Sequence, residues 1–302
     1  MNTKTVFMGS PDFALPTLRA LAENYPLVGV VTQPDKPAGR GRKLKSPPVK
    51  ILAQELDLPI MQPRRLAHPD AVQQLRDLAP DLIVVAAFGQ ILRPEVLNLP
   101  KHGCINVHAS LLPRWRGAAP INAAILHGDR ESGITIMKMD AGLDSGPIIN
   151  QRSIPIAANE TAGSLFDRLA QLGANLLIET LPAYLSGELM PRPQDNTSST
   201  YAPMLSRADG ELDFNTPAET LVKQVRAFNP WPGTFIIWQK RRLKIHQAHA
   251  VSATTPGVGV FTTHEGFPAI GTSAGMLVLE KVQPAGKRAM LGDTFLHGAK
   301  NW

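Results

Sequence analysis

Leu82-Ile-Val-Val-Ala-Ala87 and the shorter Cys104-Ile-Asn106-Val-His108 that follows it decide the fold class of this chain. The first is a continuous apolar run of strand length that leads into Phe88-Gly-Gln90, and such runs belong to strands covered on both faces. Outward toward the N-terminus, strand-like and helix-like segments alternate. Thr5 to Met8 and Leu27 to Thr32 have strand patterns, while Ala14 to Glu23, Val49 to Leu56 and Asp70 to Leu78 have helical ones. Short apolar strands separated by helices predict an α/β domain with a doubly wound, mostly parallel sheet. Ligands of such sheets lie beyond the carboxyl ends of the strands, where Phe88 to Gln90 and the residues after His108 fall.

Toward the C-terminus, a helix is expected from after Gly117 to about Leu126, strands at Gly133 to Lys138 and Ile148 to Ile156, and a long helix over Thr161 to Leu185 that closes the first domain. Ser186 to Arg207 is rich in Pro, Ser, Thr, Asn and Gln without an apolar period, which is the composition of a linker. A helix from about Pro217 to Phe228 then precedes short strand patterns at Thr234 to Trp238, Leu243 to Ala248, Gly259 to Thr262, Ala269 to Thr272 and Met276 to Val282. Short strands punctuated by Gly and Pro predict a small β-barrel or sandwich. The expected organisation is a domain over 1–189, a linker over 190–207 and a second domain over 208–302. A length of 302 residues is more than one hydrophobic core usually serves.

Apolar residues make up 43% of the chain, yet no run approaches the roughly 20 apolar residues of a membrane span. Met1-Asn-Thr-Lys-Thr5 leads at once into a strand pattern, unlike a signal or transit peptide. Cys104 is the single cysteine, which excludes an internal disulfide framework and suits a reducing compartment. A cytoplasmic monomer is expected. The net charge of +6 is uneven, with Lys36, Arg40, Arg42, Lys43, Lys45 and Lys50 in one short stretch and Lys240, Arg241, Arg242 and Lys244 in another. From Arg207 onward, 11 Lys and Arg stand against 7 Asp and Glu. Such clusters serve either as phosphate contacts or as solvated surface.

Strand alternation places Asn106 and His108 on one face with backbones about 6.6 Å apart. That face offers an amide donor beside a titratable imidazole, a pairing suited to acyl transfer, in which an oxyanion develops and a proton must move. Asp144, in the Gly-flanked run Met139-Asp-Ala-Gly-Leu-Asp144-Ser-Gly146, supplies a carboxylate, and a carboxylate near an imidazole favours the charged imidazolium. His102, Cys104 and His108 do not have zinc-site spacing and no second cluster adds ligands, so no metal is expected. Gly39 and Gly41 lie in a basic loop, not in a strand-to-helix turn, which argues against a bound dinucleotide. That loop, Gln33 to Lys50, is too polar and too rich in Gly and Pro to pack, and suits a polyanionic substrate that orders it on binding.

On these blocks the chain resembles the methionyl-tRNA formyltransferase family along nearly its whole length. The matching residues are Val6 to Ala14, the basic loop Gln33 to Lys50, Ala87-Phe-Gly-Gln-Ile-Leu92, the run Asn106 to Pro120, Asp140 to Gly146, and Arg226-Ala-Phe-Asn-Pro-Trp-Pro-Gly233. The resemblance implies a Rossmann-like formyltransferase domain followed by an OB-like barrel. It implies Asn106, His108 and Asp144 as the catalytic trio and 10-formyltetrahydrofolate as formyl donor and co-substrate. Phe88, Gly89, Gln90, Ile91 and Leu92, together with Ser110, Leu111, Leu112 and Pro113, would line the folate pocket, with Asp140 to Asp144 closing over the pterin. The acceptor implied is initiator methionyl-tRNA, contacted by Lys36, Arg40, Arg42, Lys43 and Lys45 of the loop and by Lys240, Arg241 and Arg242 of the barrel.

The trio alone specifies formyl chemistry and not the acceptor, because folate-dependent hydrolases and sugar-nucleotide formyltransferases share it. The basic loop and the Ala-Phe-Asn-Pro-Trp-Pro-Gly segment point to tRNA. Two departures are visible: Met204-Leu-Ser-Arg207 lacks the lysine expected soon after Thr200-Tyr-Ala, and Phe214 stands where a tryptophan is common. A non-catalytic RNA-binding protein would keep the basic surfaces without needing Asn106, His108 and Asp144 together.

Overall fold

The computed structural model describes residues 3–38, 41, 43–300 and 302. Seven strands form one sheet in the order Ile148–Pro155, Glu131–Lys138, Cys104–His108, Leu82–Ala86, Thr5–Gly9, Leu27–Val31 and Ile60–Met61. Pairings from Ile60–Met61 through to Cys104–His108 are parallel, and Glu131–Lys138 then runs antiparallel to Cys104–His108. The expected mostly parallel α/β sheet is thus present. Thr5–Gly9 and Leu82–Ala86 are buried throughout, as their unbroken apolar sequences require. Val6, Met8, Ile83, Val85 and Cys104 share a core with Leu75, Phe88 and Leu92.

Several helices of this chain begin with proline in the first turn, including Leu15–Asn24, Pro48–Glu55, Pro69–Asp77 and Pro120–Leu126. Proline there has its dihedral pre-set and loses no hydrogen bond. Two features in and beside the basic loop differ from the sequence expectation. Ile60–Met61 is a two-residue edge strand, too short to produce a periodic pattern. The basic loop contains an antiparallel hairpin, Lys36–Ala38 against Lys43–Lys45.

The base of that hairpin is secured by Asp35, whose carboxylate accepts hydrogen bonds from Gln62 Nε2 at 2.9 Å, Lys50 Nζ at 2.8 Å and Ser46 Oγ at 3.2 Å. The Gln62 and Lys50 donors hold the Asp35 carboxyl below its ordinary value. Those partners come from the following helix and from the residue after the edge strand, so composition alone could not reveal the anchor.

The chain forms two compact units that do not follow chain order. One comprises Met1–Gly117, Ser132–Ile154 and Phe166–Tyr201, and the other Ala118–Glu131, Pro155–Leu165 and Ala202–Trp302. In the second unit, antiparallel strands run in the order Thr234–Trp238, Arg241–Val251, Met276–Pro284, Phe267–Gly271 and Phe261–His264, with Met290–Leu291 pairing with Met276–Pro284. Leu221 and Val225 of the helix Ala218–Ala227 share the core of Ile236, Leu243, Ile270 and Leu277. Trp302 meets Phe261 edge-on with ring centroids 4.8 Å apart, and its Nε1 donates to the Thr262 carbonyl at 2.6 Å. Among the described residues no helix is long and apolar enough to cross a membrane.

Candidate active site

The strand Cys104–His108 sits between a parallel and an antiparallel neighbour, with Asn106 opposite Val85 on one side and Met137 on the other. His108 stands opposite Thr135. Asp144 enters from the loop that follows Glu131–Lys138. Its Oδ1 is 3.7 Å from His108 Nδ1 and 3.5 Å from Asn106 Nδ2, while Oδ2 accepts the Gly117 amide at 2.8 Å. The three side chains expected to act together are therefore adjacent. The two Oδ1 separations exceed a normal hydrogen bond, a spacing that lets a water or substrate oxygen share the donors.

His108 is 6% exposed, and its Nε2 lies 3.0 Å from the Trp115 carbonyl. A carbonyl oxygen only accepts, so Nε2 donates there and Nδ1 is the ring nitrogen that faces the carboxylate. Trp115 and Asp144 both adopt left-handed backbone, with φ of 60° and 49°. Such values are uncommon for residues other than glycine, and here they aim the Trp115 carbonyl at the imidazole and the Asp144 carboxylate at the strand.

The turn after the strand is built from within. Buried Thr135 donates Oγ1 to the Ser110 carbonyl at 2.6 Å and accepts the Leu112 amide at 3.1 Å. Gln151 Nε2 donates to the Leu112 carbonyl at 2.8 Å and to Thr135 Oγ1 at 2.9 Å. Ser110 Oγ donates to the Arg114 carbonyl at 2.6 Å. Ser110 and Leu112 are buried, whereas Leu111 and Pro113 remain partly accessible.

Within Phe88 to Leu92, the Phe88 and Leu92 side chains belong to the core. Gln90 Oε1 accepts the Leu66 amide at 2.8 Å and its Nε2 donates to the Pro63 carbonyl at 3.2 Å. Gly89, with φ of 77°, and Ile91 are exposed. A cleft of about 470 Å³ opens beside the Asp140 end of the loop, lined by Pro94, Leu97, Lys138, Met139, Asp140 and Ala141 among others. Asp140 Oδ1 accepts the Gly142 amide and Ser145 Oγ, both at 3.0 Å, which shapes the loop from inside. Of the residues expected to surround the folate, only Asp140 and its neighbour Ala141 border this cleft.

Gln194 and Arg116 were missed as supports of the site. Gln194 Nε2 donates to the Asp144 carbonyl at 2.8 Å and the Gly146 carbonyl at 2.7 Å, and its Oε1 accepts from Arg116 Nη2 at 2.8 Å. The segment expected to be a linker thus contributes to this unit. A Cβ at Gly146 would fall on the Lys138 carbonyl oxygen, so the strand end and the loop approach each other too closely there for a larger residue.

Of the expected acceptor contacts, Lys36 and Lys45 are exposed and opposite one another on the hairpin. Lys43 lies on its second strand. Arg40 and Arg42 lie outside the described residues. In the other unit, Gln239 and Lys240, with φ of 46° and 60°, form the tight turn joining Thr234–Trp238 to Arg241–Val251. Arg241 and Arg242 are exposed beyond that turn, and the Arg242 guanidinium stacks 4.2 Å from the Phe235 ring centroid. Among the described residues no group of three or more His, Cys, Asp or Glu is arranged to hold a metal ion.

Residues 3–181 match the formyl transferase family and residues 204–300 match the formyl transferase C-terminal domain. The chain is 47% identical over 297 residues to the methionyl-tRNA formyltransferase of Geobacter sulfurreducens, covering 98% of this chain and 93% of that one. It is 48% identical to the methionyl-tRNA formyltransferase of Myxococcus xanthus, covering 98% and 95%. The chain belongs to the methionyl-tRNA formyltransferase family. Among solved structures, WlaRD, a sugar 3N-formyl transferase crystallised with dTDP and 5-N-formyl-THF, superimposes with a TM-score of 0.68 at 21% identity, covering 95% of this chain and 100% of that one. HypX from Aquifex aeolicus in complex with tetrahydrofolic acid superimposes with a TM-score of 0.63 at 16% identity, covering 99% of this chain and 47% of HypX. At those identities the likeness is one of fold.

Proposed function

We propose that this protein transfers the formyl group of 10-formyltetrahydrofolate to the free α-amino group of methionine on initiator methionyl-tRNA, for the initiation of translation. Membership of the methionyl-tRNA formyltransferase family over 98% of the chain carries the choice of acceptor. The observation that carries the chemistry is the meeting of Asn106, His108 and Asp144 around one carboxylate oxygen. The protein works as a cytoplasmic monomer.

The co-substrate supplies an electrophilic formyl carbon, and the methionyl amine is the nucleophile. Asn106 donates through Nδ2 to the formyl oxygen as charge accumulates on it, and His108, as the imidazolium, adds positive charge at the same place. Asp144 orients His108 and, through a water, takes up the proton released by the amine; as the tetrahedral intermediate collapses, the bond from the formyl carbon to N10 breaks and the proton passes to N10, leaving tetrahydrofolate and the formylated amine. Phe88 to Leu92, Ser110 to Pro113 and Asp140 form the surroundings of the pterin. Lys36, Arg40, Arg42, Lys43 and Lys45 contact phosphates of the acceptor end, and Lys240, Arg241 and Arg242 follow the tRNA backbone from the antiparallel domain. The site requires no metal.

Incubation of the purified protein with 10-formyltetrahydrofolate and charged initiator tRNA, beside a control lacking tRNA, tests the reading. Formylmethionyl-tRNA is the expected product. Release of formate at the same rate without tRNA would identify a hydrolase instead.

A further inference from the structure

Gln194 falls between the two stretches that match the family, 3–181 and 204–300, in a segment of linker composition. Its carboxamide nevertheless occupies the middle of a part-buried chain of contacts. Oε1 accepts from both Nε and Nη2 of Arg116, at 3.0 and 2.8 Å, and Nε2 donates to the Asp144 and Gly146 carbonyls at 2.8 and 2.7 Å. Arg116 is 3% exposed, and its Nη2 also donates to Asn196 Oδ1 at 2.8 Å. A guanidinium can only donate, so Oε1 must face it and Nε2 must face the two carbonyls. The carboxamide therefore has one productive orientation.

The rest of the segment is fastened to the same unit. Arg192 and Ile148 exchange backbone hydrogen bonds at 2.8 Å, the Arg116 amide donates to the Thr200 carbonyl at 2.9 Å, and the Trp115 amide donates to Thr200 Oγ1 at 2.9 Å. Arg116 and Trp115 adjoin Gly117, the residue whose amide holds Asp144 Oδ2. One short stretch thus presents its Trp115 carbonyl to His108, its Gly117 amide to Asp144 and its Arg116 side chain to Gln194.

We infer that Gln194 is a positioning residue for formyl transfer, bridging the Asp144 and Gly146 carbonyls so that Asp144 keeps the left-handed backbone from which its carboxylate meets His108 and Asn106. The inference rests on the proposed role of Asp144. Residues other than glycine hold such a conformation only where their surroundings enforce it, and the two carbonyls clasped by Gln194 are that of Asp144 itself and that of the residue two further on. Relaxation of the loop by about 1 Å would move Asp144 out of reach of His108, a displacement of the size that costs about 100-fold in rate.

Gln194→Glu in the full-length protein separates positioning from scaffolding. It keeps an acceptor for Arg116, and gains an ion pair with it, but sets an acceptor oxygen against the two carbonyls. The expected result is a protein that melts like the parent, with kcat lowered by roughly 10-fold to 100-fold. KM values for methionyl-tRNA and 10-formyltetrahydrofolate should stay close to parental, and the pH profile of kcat should be displaced. A parental kcat and pH profile would overturn the inference. Should that variant not fold, Gln194→Asn retains both polar groups one methylene short of the loop, and its outcome is judged by the same two readouts. Asp144→Asn is measured alongside. Near-normal turnover in Asp144→Asn removes the role of Asp144 itself, whereas loss there with parental turnover in the Gln194 variants removes Gln194 alone.

Discussion

The Gly117 amide donates to Oδ2 of Asp144 at 2.8 Å, leaving Oδ1 as the oxygen that faces His108 and Asn106. The two oxygens of one carboxylate therefore have different tasks. One is held by backbone, and the other faces the imidazole and the amide. A backbone donor is a stiff anchor because Gly117 is continuous with Trp115, whose carbonyl engages the opposite side of the same imidazole.

Asn106→Ala removes the amide donor that the proposed mechanism sets against the charge on the formyl oxygen. Loss of one such donor raises a barrier by about 3 to 4 kcal/mol, so single-turnover formylation should slow by roughly 100-fold to 1000-fold. Near-normal turnover would remove Asn106 from the chemical step.

Thr135→Val keeps the branched shape of a fully buried side chain but deletes the hydroxyl that holds the Ser110 carbonyl and the Leu112 amide. Leaving buried polar groups unpaired costs about 1 to 3 kcal/mol, to be measured as a lower urea midpoint at constant m-value. Turnover should fall with it, because the Ser110 to Pro113 turn adjoins His108. Stability equal to the parent would show that the turn does not depend on this hydroxyl.

Lys45→Ala, alone and with Lys43→Ala, tests the basic hairpin without touching the trio. Removing each lysine that neutralises a phosphate should flatten the slope of log affinity for tRNA against log salt by about 0.7 to 0.9. Folate binding should be unchanged. An unaltered salt slope would exclude these lysines from the tRNA interface.

Cys104 is buried at 1% exposure, and burial pushes its thiol from the ordinary 9.0 up to about 12. Iodoacetamide at pH 8 should therefore leave the native protein unmodified and alkylate it in urea. The unfolded chain releases this proton first, so the thiol's contribution to stability should decline as pH rises from 9.0 toward about 12. Cys104→Ala should melt with a flatter alkaline dependence. Rapid alkylation of the native state would contradict the burial.

Much of the fold is legible in the sequence. Leu82–Ala86 and Thr5–Gly9 are central parallel strands, as continuous apolar runs between helices require. The edge strand Ile60–Met61 escaped notice because two residues carry no period. The loop hairpin escaped because its anchor, Asp35, draws on Ser46, Lys50 and Gln62, none of which is its immediate neighbour in sequence. In the candidate site, Phe88 and Gln90 could be located but not their environments. Phe88 is core, and Gln90 spends its carboxamide on Leu66 and Pro63.

By itself the sequence determined that Asn106 and His108 share a face, because strand alternation is a local property of the backbone dihedrals. Its motifs also pointed to the family. Tertiary structure alone decided which groups meet that face and what keeps them there. Asp144 lies 38 residues from Asn106 and 27 from Gly117, and Gln194 lies 50 from Asp144. Contacts at such separations are set by how strands, turns and returning segments pack, and no local period encodes them. A polar stretch with the composition of a linker could for that reason supply the clasp on the Asp144 loop.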